Sequence, residues 1–455
     1  MSATRPNIIF IFADDWGWGD LGCYGHAQAM TPHLDQLARD GRLFSQFYVC
    51  SGVCSPSRAA VMTGKFPGQL GIHGHFAEHE RNASRGMPNW LEPSVVTLPG
   101  LLQSNGYRTG HFGKWHLGHG PGAPEPFNYG IDECAVTTGN GPKLSFGGDT
   151  GELFDPALRH RSSEVIIDET ISFVDRSYKE NSRQPVYVNV WLNDTHAILH
   201  PSEEQLEPYQ NIVRPELRGI HWGANAIYYA ALTNADYHIG RLLQYLDNLG
   251  IADDTIVIFS ADNGPEDISI GNAAHSGVGS PGPFRGRKRS LYEGGVRTPF
   301  IIRWPSMMTQ RGIVDNDTVL CAVDLLPSLC RVADVSIPEN LLIDGEDQSD
   351  AFCSEPMQRV NPLLWQWRFS VAGHTLNKSP MLSIRDGDWK LLMNPDRNRM
   401  ELFNVPSDPM ELNNLVNNHS GIVDNLAQRV AAWAETLPAG PMDDDAGINS
   451  YPWPK

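Results

Sequence analysis

The chain has 455 residues, 41% hydrophobic, with 53 Asp and Glu against 35 Lys and Arg and a formal net charge of −18. That length supports a large core with a smaller unit beside it, and the negative field disfavours nucleic acid as a partner. No apolar run reaches the roughly 18 residues of a membrane span, and 43 Gly with 33 Pro fit a loop-rich globular fold rather than a fibrous or disordered chain.

Asn7–Ala13 is a continuous apolar, partly β-branched run, the pattern of a central parallel strand, and it ends in Asp14-Asp15. Thr31-Pro32 opens a helix that Gly41 closes. In Cys54–Gly64 the pair Pro56-Ser57 starts another, whose N-terminus would aim free N–H groups and a positive dipole end at whatever Cys54 carries. A strand around Arg108–Phe112 leads into Gly113-Lys114-Trp115-His116, and one at Pro185–Leu192 leads into Asn193-Asp194-Thr195-His196. Ala224–Asn248 reads as a long helix, and Asp254–Ser260 as a buried strand before Ala261-Asp262-Asn263-Gly264. The Gly- and Pro-rich stretch Asn272–Lys288 reads as a loop bordering a site, and Thr298–Trp304 as a short strand. Beyond about Asp344, the pieces Pro362–Trp367, Met381–Ile384 and Trp389–Met393 with a terminal helix Gly421–Leu437 suggest a small antiparallel sheet carrying one helix. The expected class is α/β: a large, mostly parallel mixed sheet sandwiched by helices in 1–343, and an α+β subdomain in 344–455.

Polar residues sit directly after the carboxyl ends of the apolar strands, where open α/β sheets bind ligands. Asp14, Asp15, Asp262 and Asn263 supply hard oxygen donors suited to Ca²⁺ or Mg²⁺ rather than zinc. Either pair alone reads better as a turn or helix cap; two pairs, both after buried strands, favour a metal. Lys114 and His116 can face one side of an extended segment. Lys288 lies in a basic loop ahead of Tyr292-Glu293-Gly294-Gly295, which suggests a tight turn under a site. His196 closes the polar turn that follows an apolar run. Cys54 taken alone would be a small buried hydrophobe, and the seven cysteines show no metal-type spacing.

Taken together these motifs resemble the type I, formylglycine-dependent sulfatases of the alkaline-phosphatase-like superfamily. The resemblance runs through Pro6–Asp15, Cys54-Ser55-Pro56-Ser57-Arg58-Ala59-Ala60-Val61-Met62-Thr63-Gly64, Gly113–Gly118, Asp262-Asn263-Gly264, Lys288 with Tyr292–Gly295, and Glu401–Asn404. Met62 stands where leucine is usual, and Thr195 where proline usually precedes the histidine. The resemblance implies that Cys54 is oxidised to formylglycine by a formylglycine-generating enzyme, and that Asp14, Asp15, Asp262, Asn263 and the modified Cys54 bind one Ca²⁺. It implies that Arg58 and Lys114 hold the nucleophile and sulfate oxygens, that Lys288 contacts sulfate and the bridging oxygen, that His116 serves the nucleophile's hydroxyl, and that His196 protonates the leaving alcohol. The implied substrate is a sulfated oligo- or polysaccharide, with Trp16, Trp18, His73, His75, Arg218, His221 and Trp222 as candidate sugar-contacting residues. The implied setting is a bacterial periplasm or exterior, with a cytoplasmic enzyme as the alternative. A phosphonate monoester hydrolase or phosphodiesterase of the same superfamily, and a carbohydrate-binding relative without turnover, are the rival readings.

Overall fold

Six of the seven residues of β1 (Asn7–Ala13) are buried, as a strand covered on both faces requires. The computed structural model describes residues 5–137, 144–146, 156–212, 223–270 and 274–449. Within them, β1 joins β2 (Arg42–Tyr48), β3 (Arg108–Lys114), β4 (Glu133–Thr137), β5 (Leu144–Phe146), β6 (Val186–Trp191), β7 (Thr255–Ala261), β8 (Arg297–Arg303), β9 (Ile313–Asp315) and β10 (Leu320–Cys321). They form one ten-stranded sheet in the order β10-β2-β8-β7-β1-β6-β3-β4-β5, with β9 also on β2. The central run β7-β1-β6-β3 is parallel throughout, whereas β8 runs antiparallel to both β2 and β7, and β5 to β4.

Alternate residues of β1 point to opposite faces, so Ile8, Phe10 and Phe12 enter one apolar core while Ile9, Ile11 and Ala13 enter the other. Helix α1 (Pro32–Asp40) and the helix Ala224–Leu249 cover the second face. Helix α2 (Cys54–Thr63) lies against the first and is buried at all ten positions. A separate antiparallel sheet, β11 (Leu363–Gln366), β12 (Leu382–Asp386), β13 (Trp389–Met393) and β14 (Met400–Asn404), follows in sequential order. One of its faces packs on the helix Ser420–Glu435, and the other contributes Leu363, Trp365, Leu392 and Phe403 to the first core of the large sheet.

The expected α/β class, the strands flanking each chemical motif and the C-terminal sheet with its helix are present, with ends shifted by a few residues. The sequence reading passed over β2, β14 and the helix Ser162–Glu180. In β2 the polar Arg42, Ser45 and Gln46 break the apolar run, and its ladder to β8 is irregular between Phe44 and Phe47. Its strand character comes from the neighbours that bury it.

Asp236, buried on the helix Ala224–Leu249, accepts the backbone N–H groups of His33 at 3.1 Å and Leu34 at 2.8 Å. It thereby caps α1, whose own N-cap Thr31 makes no side-chain cap. Asp236→Ala should lower unfolding free energy by about 1–2 kcal/mol, read as a shifted urea midpoint at unchanged slope.

Candidate active site

Strand register assembles the site. β1 and β7 are adjacent and parallel with Ala13 opposite Ala261, so Asp14-Asp15 and Asp262-Asn263 emerge side by side. Phe12 pairs with Trp191 of β6, and Trp191 with Gly113 of β3, which brings Lys114 and the 193–196 turn to the same edge. Four consecutive parallel strands thus deliver their following residues to one crevice.

Helix α2 enters from the first core with Cys54 as its first residue and an extended Val53 before it, without a side-chain cap. Its early amide groups are therefore available to an anion. Ser57 Oγ donates to Ser51 O at 3.0 Å, and Ser55 Oγ accepts from Phe76 N at 3.0 Å, fixing the turn at both sides. Met62 is fully buried, with its sulfur 3.8 Å from the Asn189 amide nitrogen, a polar contact that leucine lacks.

The Cys54 Sγ lies 3.5 Å from Asp14 Oδ1, and ligand atoms of Asp14, Asp15, Cys54 and Asp262 all fall within 4.8 Å of one another. Three buried cations balance the three carboxylates. Lys114 Nζ stands 2.5 Å from Asp14, Arg58 Nη2 2.6 Å from Asp262, and Lys288 Nζ 2.6 Å from Asp15. Burial favours the neutral acid at Asp14, yet the cations around it, Lys114 foremost and then Arg58 and Lys288, hold it well below the usual carboxylate range. At Asp262, burial and the neighbouring Asp14 prevail and push the carboxyl up to about 6. Burial also pushes the Cys54 thiol up, aided by Asp262, so an unmodified cysteine here is a poor thiolate nucleophile.

A metal ion fits this donor set. The Asn263 amide nitrogen donates to Asp15 at 2.7 Å and to Gly264 O at 2.8 Å, while its buried Oδ1 has no hydrogen-bond partner among the described residues. An orphaned oxygen on the residue that follows Asp262 and is bonded to Asp15 asks for a cation.

Both histidines are neutral. His116 is held well below the normal imidazole range by burial and by Lys114, and His196 is pushed down to about 4 by burial and by Lys288. His116 Nε2 faces Phe76 O at 3.2 Å, and a carbonyl only accepts, so Nδ1 keeps a lone pair; that atom is buried and unpartnered. His196 Nδ1 faces Ala197 O at 2.9 Å, leaving the Nε2 lone pair 3.8 Å from Asp15. Asp15, His116 and Arg289 all hold positive φ (64°, 51° and 74°), backbone strain gathered at the site.

The Lys288 loop is tied down by Lys288 N to Pro265 O and Arg289 N to Gly52 O, at 2.9 and 2.7 Å. Beneath it, a Cβ on Gly264 would lie 1.9 Å from Gly294 O, so the Asp262-Asn263-Gly264 and Glu293-Gly294-Gly295 turns meet through bare backbone. Glu293 anchors that turn to the small sheet: Lys390 Nζ sits 2.8 Å from it and 2.9 Å from Glu411, all three buried.

Above Cys54 opens a cavity of about 450 Å³, walled by residues including His75, His116, His196, Lys288, Arg289 and Trp367. Of the candidate sugar-contacting residues, His75 lines it. Trp16 is a core residue bonded to Asp194 O, Trp18 packs edge-on to Tyr24 and Phe284, and His73 is buried in a niche with Phe66 and Trp433. Arg218, His221 and Trp222 lie outside the described residues. The sequence reading missed Glu266, which pairs with Arg289 at 2.5 Å and lies 3.7 Å from Lys288, together with the wall residues Arg81, Arg85 and Phe369. The charge run after Phe284 was the available signal for Arg289; nothing local marked the others.

A sulfatase family model matches residues 6–335, which takes in Cys54 and the carboxylates, cations and histidines gathered around it. The chain belongs to the sulfatase family. A second model, N-sulphoglucosamine sulphohydrolase, C-terminal, matches residues 284–436. This sulfatase-family chain is 31% identical to steryl-sulfatase of Mus musculus over 406 residues, covering 75% of this chain and 64% of that protein. It is 33% identical to arylsulfatase A of Homo sapiens over 372 residues, covering 76% and 68%. It is also 33% identical to N-acetylgalactosamine-6-sulfatase of Rattus norvegicus over 371 residues, covering 75% and 64%. The chain thus spans about two thirds of the length of these relatives. Its fold superposes on Ps i-CgsB in complex with k-i-k-neocarrahexaose with a TM-score of 0.79 and 25% identity, covering 98% of this chain and 96% of that one.

Lys390→Met should strand two buried carboxylates and cost about 3–5 kcal/mol of stability. Chemical unfolding would check it, and a loss below about 1 kcal/mol would show that the Glu293 anchor is dispensable.

Proposed function

We propose that the chain is a sulfuric ester hydrolase that removes sulfate from a sulfated carbohydrate, using a formylglycine made from Cys54 and one Ca²⁺. The observation that carries this reading is Cys54 at an uncapped helix N-terminus, within 4.8 Å of three carboxylates that three buried cations balance. Relatives named for N-acetylgalactosamine-6-sulfate and a similar structure holding a neocarrahexaose support a saccharide substrate. The reading takes in maturation by a formylglycine-generating enzyme and a location outside the cytoplasm. Among the described residues no helix is long and apolar enough to cross a membrane. It also takes 1–343 as the catalytic unit and 344–455 as a subdomain.

Asp14, Asp15, Asp262, Asn263 and residue 54 would hold the ion, which when bound neutralises the carboxylates and polarises the neighbouring oxygens. Carried as formylglycine, residue 54 supplies a geminal diol, one hydroxyl to attack sulfur and the other to expel sulfate afterwards. Arg58, Lys114 and the α2 amides stabilise charge on the non-bridging oxygens. Lys288, which Asp15 keeps charged despite burial, donates to the bridging oxygen. His116 Nδ1, a lone pair without a partner, accepts the proton of the second hydroxyl. His196 must first gain a proton at Nε2 to serve the leaving alcohol, and Asp15 at 3.8 Å stabilises that charged form.

The test is free-sulfate release from defined sulfated oligosaccharides and an aryl sulfate, in parallel with phosphodiesters; a markedly higher kcat/KM on phosphodiesters would overturn the proposal. A peptide mass spectrum of protein from its native host should show an aldehyde, not a thiol, at position 54. Cys54→Ser should stop after one sulfate transfer, since serine lacks the second hydroxyl, and sustained turnover by that variant contradicts the mechanism. Chelation should lower the thermal midpoint and added Ca²⁺ restore it, with Asn263→Ala needing more Ca²⁺ for the same recovery. His196→Ala should lose about a hundredfold or more on a sugar sulfate, whose alkoxide needs a proton, and far less on an aryl sulfate with a good leaving group.

A further inference from the structure

The cavity above Cys54 holds two arginines that make no ion pair among the described residues. Its wall holds four fixed cations, Lys288, Arg289, Arg81 and Arg85, against two carboxylates, Glu266 and Asp443. Lys288 and Arg289 are committed to Asp15 and Glu266, at 2.6 and 2.5 Å. Asp443 accepts the backbone N–H of Ser370 at 2.8 Å and pairs with no arginine among the described residues. Arg81 and Arg85 likewise have no ion pair there.

These two arginines are four residues apart on and just after the short helix His79–Ser84, so their side chains leave one face together. The Arg85 guanidinium lies over the Phe369 ring, 4.9 Å from its centroid, which orients it without neutralising it. Phe369 meets Trp367 edge-on at 5.6 Å. Arg85 Nη1 and Trp367 Nε1 are both buried and both lack an acceptor among the described residues. Burial and the like charge of Arg81 both work against the charged form of Arg85, only partly offset by Asp443. Two donors without acceptors and two cations without anions, on one wall of one cavity and in a chain of net charge −18, describe a missing anion.

We propose that Arg81 and Arg85 form a subsite for a second anionic group, a sulfate ester or a carboxylate, on the same saccharide whose sulfate is removed. The proposal rests on the sulfatase reading above and narrows its substrate to polyanionic saccharides. Arg85, held by Phe369, supplies the oriented fork; Arg81, exposed, adds charge at the entrance; Trp367 adds a single N–H.

Three disaccharides sharing one scissile sulfate test this: one with a second sulfate, one with a uronate carboxylate, and one otherwise neutral. The wild-type protein should show a higher kcat/KM on at least one of the dianionic sugars than on the neutral one, and its KM for that sugar should climb more steeply with salt. In Arg81→Gln/Arg85→Gln that preference should shrink about tenfold, through KM, and Arg81→Lys/Arg85→Lys should keep more of it. The two dianionic sugars separate a sulfate from a carboxylate as the ligand. An unchanged preference in the Gln variant, or a salt response equal for all three sugars, overturns the subsite. Equilibrium binding of the same sugars to Cys54→Ala, with and without the two Gln substitutions, reads the subsite apart from chemistry. Arginine-dependent binding without sulfate release by the wild type would sink the hydrolase reading alone, and sulfate release without arginine dependence would sink the subsite alone.

Discussion

Three carboxylates share one buried crevice, and the rest of the site follows from the need to tolerate them. Asp14, Asp15 and Asp262 sit together because two parallel strands end in register. Left alone, such a cluster would be driven to protonate or to pull its strand ends apart. Arg58 from α2, Lys114 from the end of β3 and Lys288 from a distant loop each take one carboxylate. The acid cluster thereby docks a helix and a loop onto the sheet edge, and a residual demand for cation is visible at the unpartnered Asn263 oxygen.

That docking explains the odd local chemistry. Arg58 is fully buried with its guanidinium 5.0 Å from the Trp191 ring centroid, an environment a lone charge would not occupy. The bare-backbone contact of Gly264 with Gly294 lets the Lys288 loop approach closely enough to reach Asp15. Behind it, the buried Lys390 between Glu293 and Glu411 ties the small sheet to the same turn. The C-terminal residues therefore reach the site twice, through this anchor from below and through Trp367 and Phe369 on the cavity wall.

Much of this was legible before any coordinates. An apolar run long enough to be a strand announces itself, and polar residues straight after it must lie at the sheet's edge, so Asp14, Asp15, Lys114, His196, Asp262 and Asn263 were each readable from one neighbouring segment. The helix start is written in Pro56-Ser57, but Cys54 and Arg58 were readable as site residues only through the resemblance carried by the whole set of motifs. β2 was not, because its burial comes from β8 and β9 rather than from its own composition. Trp16 and Trp18 looked like sugar platforms because aromatic residues after a strand resemble a binding loop; packing buries Trp16 and holds the half-buried Trp18 edge-on to Tyr24 and Phe284.

The sequence by itself determined the apolar strands that precede the chemical motifs, the helix start at Cys54 and the types of donor that gather at the strand ends, since each depends on neighbours along the chain. Only the tertiary structure decided which cation answers which carboxylate, that both histidines are neutral with a known free nitrogen, and that Glu266 belongs to the site. It alone brought Arg81 and Arg85 to the wall shared with Trp367 and Phe369, nearly three hundred residues away in the chain. Charge pairing and desolvation act through space at a few ångströms, and spacing along a sequence does not encode distance between segments that meet only after folding.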